Sequence, residues 1–130
     1  MSTTPPATPL PLLWAAFIGS HVMFVAITFF VPGQPIAQAN LLPILAVPAM
    51  IVAGIAAEGS LVARVAPQAQ TWCLIRFALA EVAGVLGLLV YFFSGEHLVQ
   101  LVCAACGLMA HLLAFPSARA LEGHAALLRP

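Results

Sequence analysis

The sequence contains no lysine and no aspartate, and its only charged residues are four arginines and four glutamates, 6% of 130 residues. Soluble globular domains carry about 25% charged residues, so this scarcity excludes a soluble domain. The zero net charge excludes the basic surface that nucleic-acid binding requires. No nucleophile–base pair, phosphate loop or set of metal ligands is recognisable, and we therefore expect neither an enzyme nor a metal site.

Hydrophobic residues make up 63% of the chain, and they concentrate in four stretches. Crossing a bilayer takes about 20 mostly apolar residues, and the stretches cover 10–31, 41–63, 72–93 and 97–115. The pattern predicts an all-α fold, an integral membrane four-helix bundle over 10–115. We expect residues 1–9 to form a flexible leader and 116–130 to form a short cytoplasmic tail.

The arginines predict the orientation of these helices. With four spans, both termini and the 58–71 loop share one side of the membrane, and that side holds Arg64, Arg119 and Arg129. The opposite side holds the uncharged 32–40 loop and Glu96. Because positive residues accumulate on the cytoplasmic side, we place both termini in the cytoplasm. The expected location is a bacterial inner membrane, crossed several times.

Glu81 lies in the middle of the third span. A carboxylate at this depth costs about 2.5–3.5 kcal/mol on insertion scales and usually handles ions or pairs with another polar group. Two interpretations stay open: Glu81 binds a proton or cation, or it holds helices together. A rise of about 1.5 Å per residue places His21 of the first span at the same depth as Glu81. We therefore take Glu81 and His21 as the candidate ion-binding residues.

Two further polar residues lie closer to the cytoplasmic side. The same arithmetic puts Arg76 and His111 at one depth, about 9 Å from the level of His21. We expect both to make polar contacts between helices. His21 and His111 also suggest a haem or chlorophyll ligand as an alternative, although their separation argues against one haem bridging the two.

Small residues lie on both sides of Glu81 in the sequence, at helical spacing. Ala80, Ala83, Gly84 and Gly87 form a stripe that allows another helix to approach closely. We expect this stripe to be a packing surface, with Glu81 turned into a helix interface. Cys103 and Cys106 form a C-x-x-C pair without a second pair, and we interpret them as small apolar residues.

The segment Ala78-Leu79-Ala80-Glu81-Val82-Ala83-Gly84-Val85-Leu86-Gly87-Leu88-Leu89-Val90 resembles the carboxylate-bearing helix of the c subunit of rotary ATP synthases. The preceding segment, 57–67, is similar to the end of the first helix and the polar loop of that family. The resemblance covers about a third of the chain. It implies a hairpin in which Glu81 carries the ion.

These observations favour a small bacterial inner-membrane protein that binds a proton or cation at Glu81 and forms a homo-oligomer, with a ring as one arrangement. The second hypothesis is a non-catalytic accessory or scaffold subunit of a larger energy-converting membrane complex. The third is a haem or pigment carrier using a membrane histidine. The expected partners are the lipid bilayer and copies of this chain or subunits of a larger complex, and no cofactor is predicted.

Overall fold

The computed structural model describes residues 9–33 and 41–128, without the side chains of 41–44. Most of the predicted leader, most of the 32–40 loop and Arg129 lie outside the described residues. The described part is helical throughout and contains no strand. Its helices are α1 (Leu10–Phe30), α2 (Leu41–Glu58), α3 (Ser60–Val65), α4 (Ala69–Ser94), α5 (His97–Leu113) and α6 (Ala118–Leu127).

The helix boundaries follow from glycine and capping residues. Gly59 adopts a left-handed conformation with φ of 75°, which ends α2 at Glu58. The predicted 41–63 span is therefore divided into α2 and the short α3. Gly95, with φ of 74°, ends α4 in the same way. At the start of α6, the Ser117 hydroxyl accepts a hydrogen bond from the Ala120 N–H at 3.1 Å.

The described helices are those of a membrane protein. By length and composition, α1 and α4 can each cross a bilayer. Helices α5 and α6 together supply a third candidate, although the chain bends by 85° between them. In the described part of the chain, two or three helices therefore qualify as membrane spans.

Helix α4 is the centre of the structure. It packs against α1, α2 and α5, and within the described residues α1 and α2 do not contact each other. Bonds between the start of α4 and the end of α2 make that pair antiparallel. A bond from Trp14, early in α1, to His111, late in α5, makes α1 and α5 antiparallel as well.

The two sides of α4 are packed differently. Towards α2 and α5 the core consists of small buried side chains, namely Ala49, Ala53, Ala56, Ala80, Ala83, Cys103 and Ala110. Such residues allow close approach of helices within a membrane. Helix α1, in contrast, buries only His21 and Thr28 and exposes large apolar residues such as Phe29 and Phe30. Helix α1 is attached by polar contacts together with the packing of Trp14 on Phe115 and of Phe17 on Phe77.

Arg76 joins the ends of two helices. Its Nε donates to the Ala56 carbonyl at 2.6 Å, and its Nη2 donates to the carbonyls of Ala57 at 2.7 Å and Leu113 at 3.1 Å. These carbonyls belong to the last turns of α2 and α5, where a cation is favoured by the helix dipole. The guanidinium also lies 4.4 Å from the Trp72 ring centroid. Arg76 thus makes the interhelical contacts expected of it, through backbone oxygens.

Candidate functional site

The Glu81 side chain on α4 collects polar side chains from two other helices. Its Oε1 accepts a hydrogen bond from the Ser20 hydroxyl at 2.5 Å. Its Oε2 lies 2.9 Å from Nδ1 of His21 and 3.4 Å from Nε2 of His111. His21 and His111 are 2% and 0% exposed, whereas Glu81 retains 16%. Glu81, His21 and His111 form a cluster, called the Glu–His cluster below, in the middle of the helix assembly.

Two glycines make room for the His21 imidazole. A Cβ at Gly84 on α4 would lie 2.6 Å from Nε2 of His21. A Cβ at Gly107 on α5 would overlap the same nitrogen and would lie 2.8 Å from the Ala80 carbonyl oxygen. Real Cβ atoms do not approach side chains so closely, so both positions require glycine. The imidazole of α1 therefore fits between α4 and α5 because these two helices lack side chains there.

His111 lies closer to His21 than the rise arithmetic predicts, and that prediction was wrong. The two ring centroids are 4.9 Å apart in an edge-on arrangement. Side chains on a helix lean towards its N-terminus. Helix α5 runs opposite to α1, so the His111 and His21 side chains lean towards each other. The depth difference of about 9 Å came from helical rise along the backbone, which takes no account of the direction of the two side chains.

The same lean separates Arg76 from His111. The Arg76 side chain bonds to the helix ends of α2 and α5, and His111 contacts Glu81. Although the rise arithmetic puts the two at one depth, no contact between them is found among the described residues. Five residues along α4, Glu81 forms its side-chain contacts with the two histidines.

Helix α1 is fixed at three levels along its length. Near its start, the Trp14 indole N–H donates to the His111 carbonyl at 2.7 Å. Near the end of α1, the Tyr91 hydroxyl donates a hydrogen bond to the Thr28 carbonyl oxygen at 3.0 Å. The same hydroxyl accepts a hydrogen bond from the Gly33 N–H at 3.1 Å. The Glu–His cluster is the level between them. The anchors at both ends determine where His21 and Ser20 lie against α4.

The Glu–His cluster has a donor set that suits a positive ion. Each of the three residues offers one ligand atom, and these atoms lie within 4.8 Å of one another. The remaining nitrogens, Nε2 of His21 and Nδ1 of His111, have no hydrogen-bond partner within the described part of the chain. Both histidines therefore direct their bonded nitrogens at the same carboxylate oxygen.

The other candidate residues have packing positions. Ala80, Ala83, Gly84 and Gly87 are all buried, and a Cβ at Gly87 would lie 2.6 Å from the Cys103 side chain. Cys103 and Cys106 are free thiols outside the Glu–His cluster. The two imidazoles in edge contact leave no space between them for a macrocycle.

Ser20 and Gly107 were not among the predicted site residues. Ser20 directly precedes His21, and Gly107 lies one helical turn before His111 on the same face of α5. The spacing Gly107-x-x-x-His111 was the available signal for a histidine beside a close helix contact. An apolar cavity of about 440 Å³ between α1 and α5 also has His21 in its lining.

No protein-family model, curated protein or solved structure matches this chain.

Proposed function

We propose that this protein is a non-enzymatic, multi-pass membrane protein that holds a cation at the Glu–His cluster inside the bilayer. The observation that carries the proposal is the double contact of one carboxylate oxygen, at 2.9 Å from His21 and 3.4 Å from His111. Such an arrangement places two imidazole nitrogens and one carboxylate oxygen around a single position. A proton shared between Glu81 and His21 is the simplest occupant.

The charge of the cluster supports this proposal. A lone carboxylate in the bilayer interior costs about 2.5–3.5 kcal/mol on insertion scales. Two neutral imidazoles donate hydrogen bonds to it but leave its charge uncompensated. Arg76 does not compensate it either, because its guanidinium bonds to the carbonyls of α2 and α5. Since no residue in the described part of the chain compensates this charge, a bound cation would remove it.

The proposed membrane arrangement has four crossings with both termini in the cytoplasm of a bacterium. The apolar length of α1 and α4 supports the membrane crossings. The orientation is supported by Arg64, which follows α2, and by Arg119 and Arg129, which follow α5. Helix α6, bent by 85° from α5, would then lie along the cytoplasmic face. The bilayer is the first partner in this arrangement.

The resemblance to c subunits extends the proposal to a homo-oligomer, with a ring as one form. The exposed apolar faces of α1 and α2 would then contact neighbouring copies; they include Leu12, Met23, Val47 and Ile51. The cation site itself needs only one chain, because Ser20, His21 and His111 come from the same chain as Glu81.

Labelling with a hydrophobic carbodiimide tests the proposal. We expect the reagent to modify Glu81 in the membrane, since it reacts with a protonated carboxyl group. The matched control is Glu96→Gln, which removes an exposed carboxylate at the start of α5 and should leave the labelling unchanged. Glu81→Gln should abolish it. Absence of labelling at Glu81 in the folded wild-type protein, freed of metal by a chelator, would contradict the proposal.

A second function is favoured by the attachment of α1. Because α1 buries few side chains, the cluster could serve as the bond that holds it, as in an accessory or scaffold subunit. Polar contacts between membrane helices contribute about 0.6–2 kcal/mol. In that case Glu81→Gln lowers the unfolding free energy by about this amount, and Glu81 does not react with carbodiimide.

A further inference from the structure

The Glu–His cluster has the ligand types and spacing of a transition-metal site. We propose that it binds one divalent transition-metal ion of the Zn²⁺ type through Nδ1 of His21, Nε2 of His111 and Oε2 of Glu81. This inference rests on the proposed function, because it names the cation that the site takes in preference to a proton.

The distances agree with tetrahedral coordination. Zinc bonds of about 2.0–2.1 Å to nitrogen and oxygen place neighbouring tetrahedral ligands about 3.3 Å apart. The observed distances from Oε2 are 2.9 Å to His21 and 3.4 Å to His111, and all three ligand atoms lie within 4.8 Å. The two distances from Oε2 lie on either side of the tetrahedral value, and rotation of the two imidazoles is the movement that would bring the three ligand atoms to one ion.

The ligand types select the class of metal. Calcium and magnesium take oxygen ligands, and two of the three atoms here are imidazole nitrogens. Thiolate ligands select Cu(I), but Cys103 and Cys106, the two cysteines one helical turn apart, lie outside the cluster. Two histidines and one carboxylate form a zinc set that leaves the fourth position open. An anion such as hydroxide at that position would complete a neutral site.

A neighbouring hydroxyl orients one of the ligands. Ser20 bonds Oε1 of Glu81 at 2.5 Å, which leaves Oε2 as the ligand oxygen. Nε2 of His21 packs against Gly84 and Gly107 and has no hydrogen-bond partner among the described residues. With its proton on Nε2, His21 presents the Nδ1 lone pair to the cluster. A partner such as Ser20 raises metal affinity by fixing the ligand geometry.

Cobalt spectroscopy on the full-length protein tests the inference. The sample is the detergent-solubilised chain with Cys73, Cys103 and Cys106 replaced by alanine, which removes the thiols as ligands. We expect one Co²⁺ per chain with the intense visible bands of four-coordinate cobalt, and loss of these bands when Zn²⁺ is added. His21→Gln, His111→Gln and Glu81→Gln should each bind at least about 100-fold more weakly, because changes outside the ligands already cost 10–100-fold.

Three controls keep the experiment decisive. His97→Gln and His124→Gln alter histidines outside the cluster and should bind Co²⁺ as the parent does. Ser20→Ala keeps all three ligands and should bind about tenfold more weakly. In the wild-type chain, Zn²⁺ should slow carbodiimide labelling of Glu81, a measurement that needs no variant.

The outcomes separate the two proposals. Labelling of Glu81 without Co²⁺ binding would overturn the metal site and leave the proton as the cation. Binding of Co²⁺ that is unchanged in all three ligand variants would also overturn it. If carbodiimide does not label Glu81, Zn²⁺ has no effect on the reaction and Co²⁺ does not bind, the proposed function fails together with the inference.

Discussion

Two polar residues on α4, five positions apart, have opposite kinds of partners. Among the described residues, Arg76 bonds only to backbone carbonyls at the ends of α2 and α5 and lies against the Trp72 ring. Within the same part of the chain, Glu81 bonds only to side chains, from Ser20, His21 and His111. Carbonyls have no proton to exchange, whereas hydroxyl and imidazole groups do. Under the proposed function, the Arg76 region holds helices together and the Glu81 region binds the ion.

The largest expected effect tests the assembly role of Arg76. Arg76→Leu leaves the carbonyls of Ala56, Ala57 and Leu113 without their donor. We expect the free energy of unfolding to fall by about 3 kcal/mol, because buried groups that lose a charged partner stay unsatisfied. Chemical unfolding in detergent measures this fall. Arg76→Lys, which keeps the charge and part of the bonding, should lose less.

Carbodiimide labelling sharpens the same comparison. The folded fraction of Arg76→Leu should still be labelled at Glu81, because none of the Glu81 partners contacts Arg76 in the described structure. Loss of labelling in folded Arg76→Leu would show that the two regions are not separate.

Gly107→Ala should affect both stability and chemistry. The added Cβ overlaps Nε2 of His21 and approaches the Ala80 backbone oxygen at 2.8 Å. Overpacking of this kind costs about 1–3 kcal/mol, and it displaces His21 from Glu81. Unfolding measurements and carbodiimide labelling should both change.

Gly19→Ala is the matched control on α1, since a Cβ there has no atom within 4 Å. It should stabilise the helix by about 0.5–1 kcal/mol and leave labelling unchanged. Equal unfolding free energies and equal labelling in Gly19→Ala and Gly107→Ala would contradict the placement of the His21 ring between Gly84 and Gly107.

Tyr91→Phe should have the smallest effect. It removes the hydroxyl that donates to the Thr28 carbonyl and accepts from the Gly33 N–H. We expect a loss of about 0.5–1.5 kcal/mol in unfolding free energy, with faster amide hydrogen exchange near the end of α1. Labelling of Glu81 should persist because Trp14 still fixes the other end of α1. A large drop in labelling would make the anchor at Tyr91 part of the site.

The sequence predicted the helical class and the membrane environment because hydrophobic length is a property of composition. It also placed Glu81 and His21 at one level, since depth follows from helical rise. It did not predict that His111 joins them. That contact depends on the direction in which side chains lean on antiparallel helices, and on the rotation of each helix about its axis.

The break at Gly59 shows a second limit of the sequence pattern. Apolar residues continue from α2 into α3, so hydrophobicity predicted one helix over 41–63. Gly59 ends α2 in a left-handed conformation, and it packs so closely that a Cβ there would lie 2.9 Å from Nε of Arg76. Tertiary contacts of this kind leave no trace in local composition.

The space that holds the His21 imidazole couples the evolution of five positions on three helices, namely His21, Glu81, Gly84, Gly107 and His111. Loss of glycine at 84 or 107 would expel the ring, and loss of the ring would remove the reason for both glycines. Chains that inherit this site should therefore keep a histidine in the first helix, Glu-x-x-Gly in the long central helix and Gly-x-x-x-His in the next. The remaining apolar residues can exchange among alanine, leucine and valine. Related chains would therefore share this spaced set of residues even where their overall sequence identity is low.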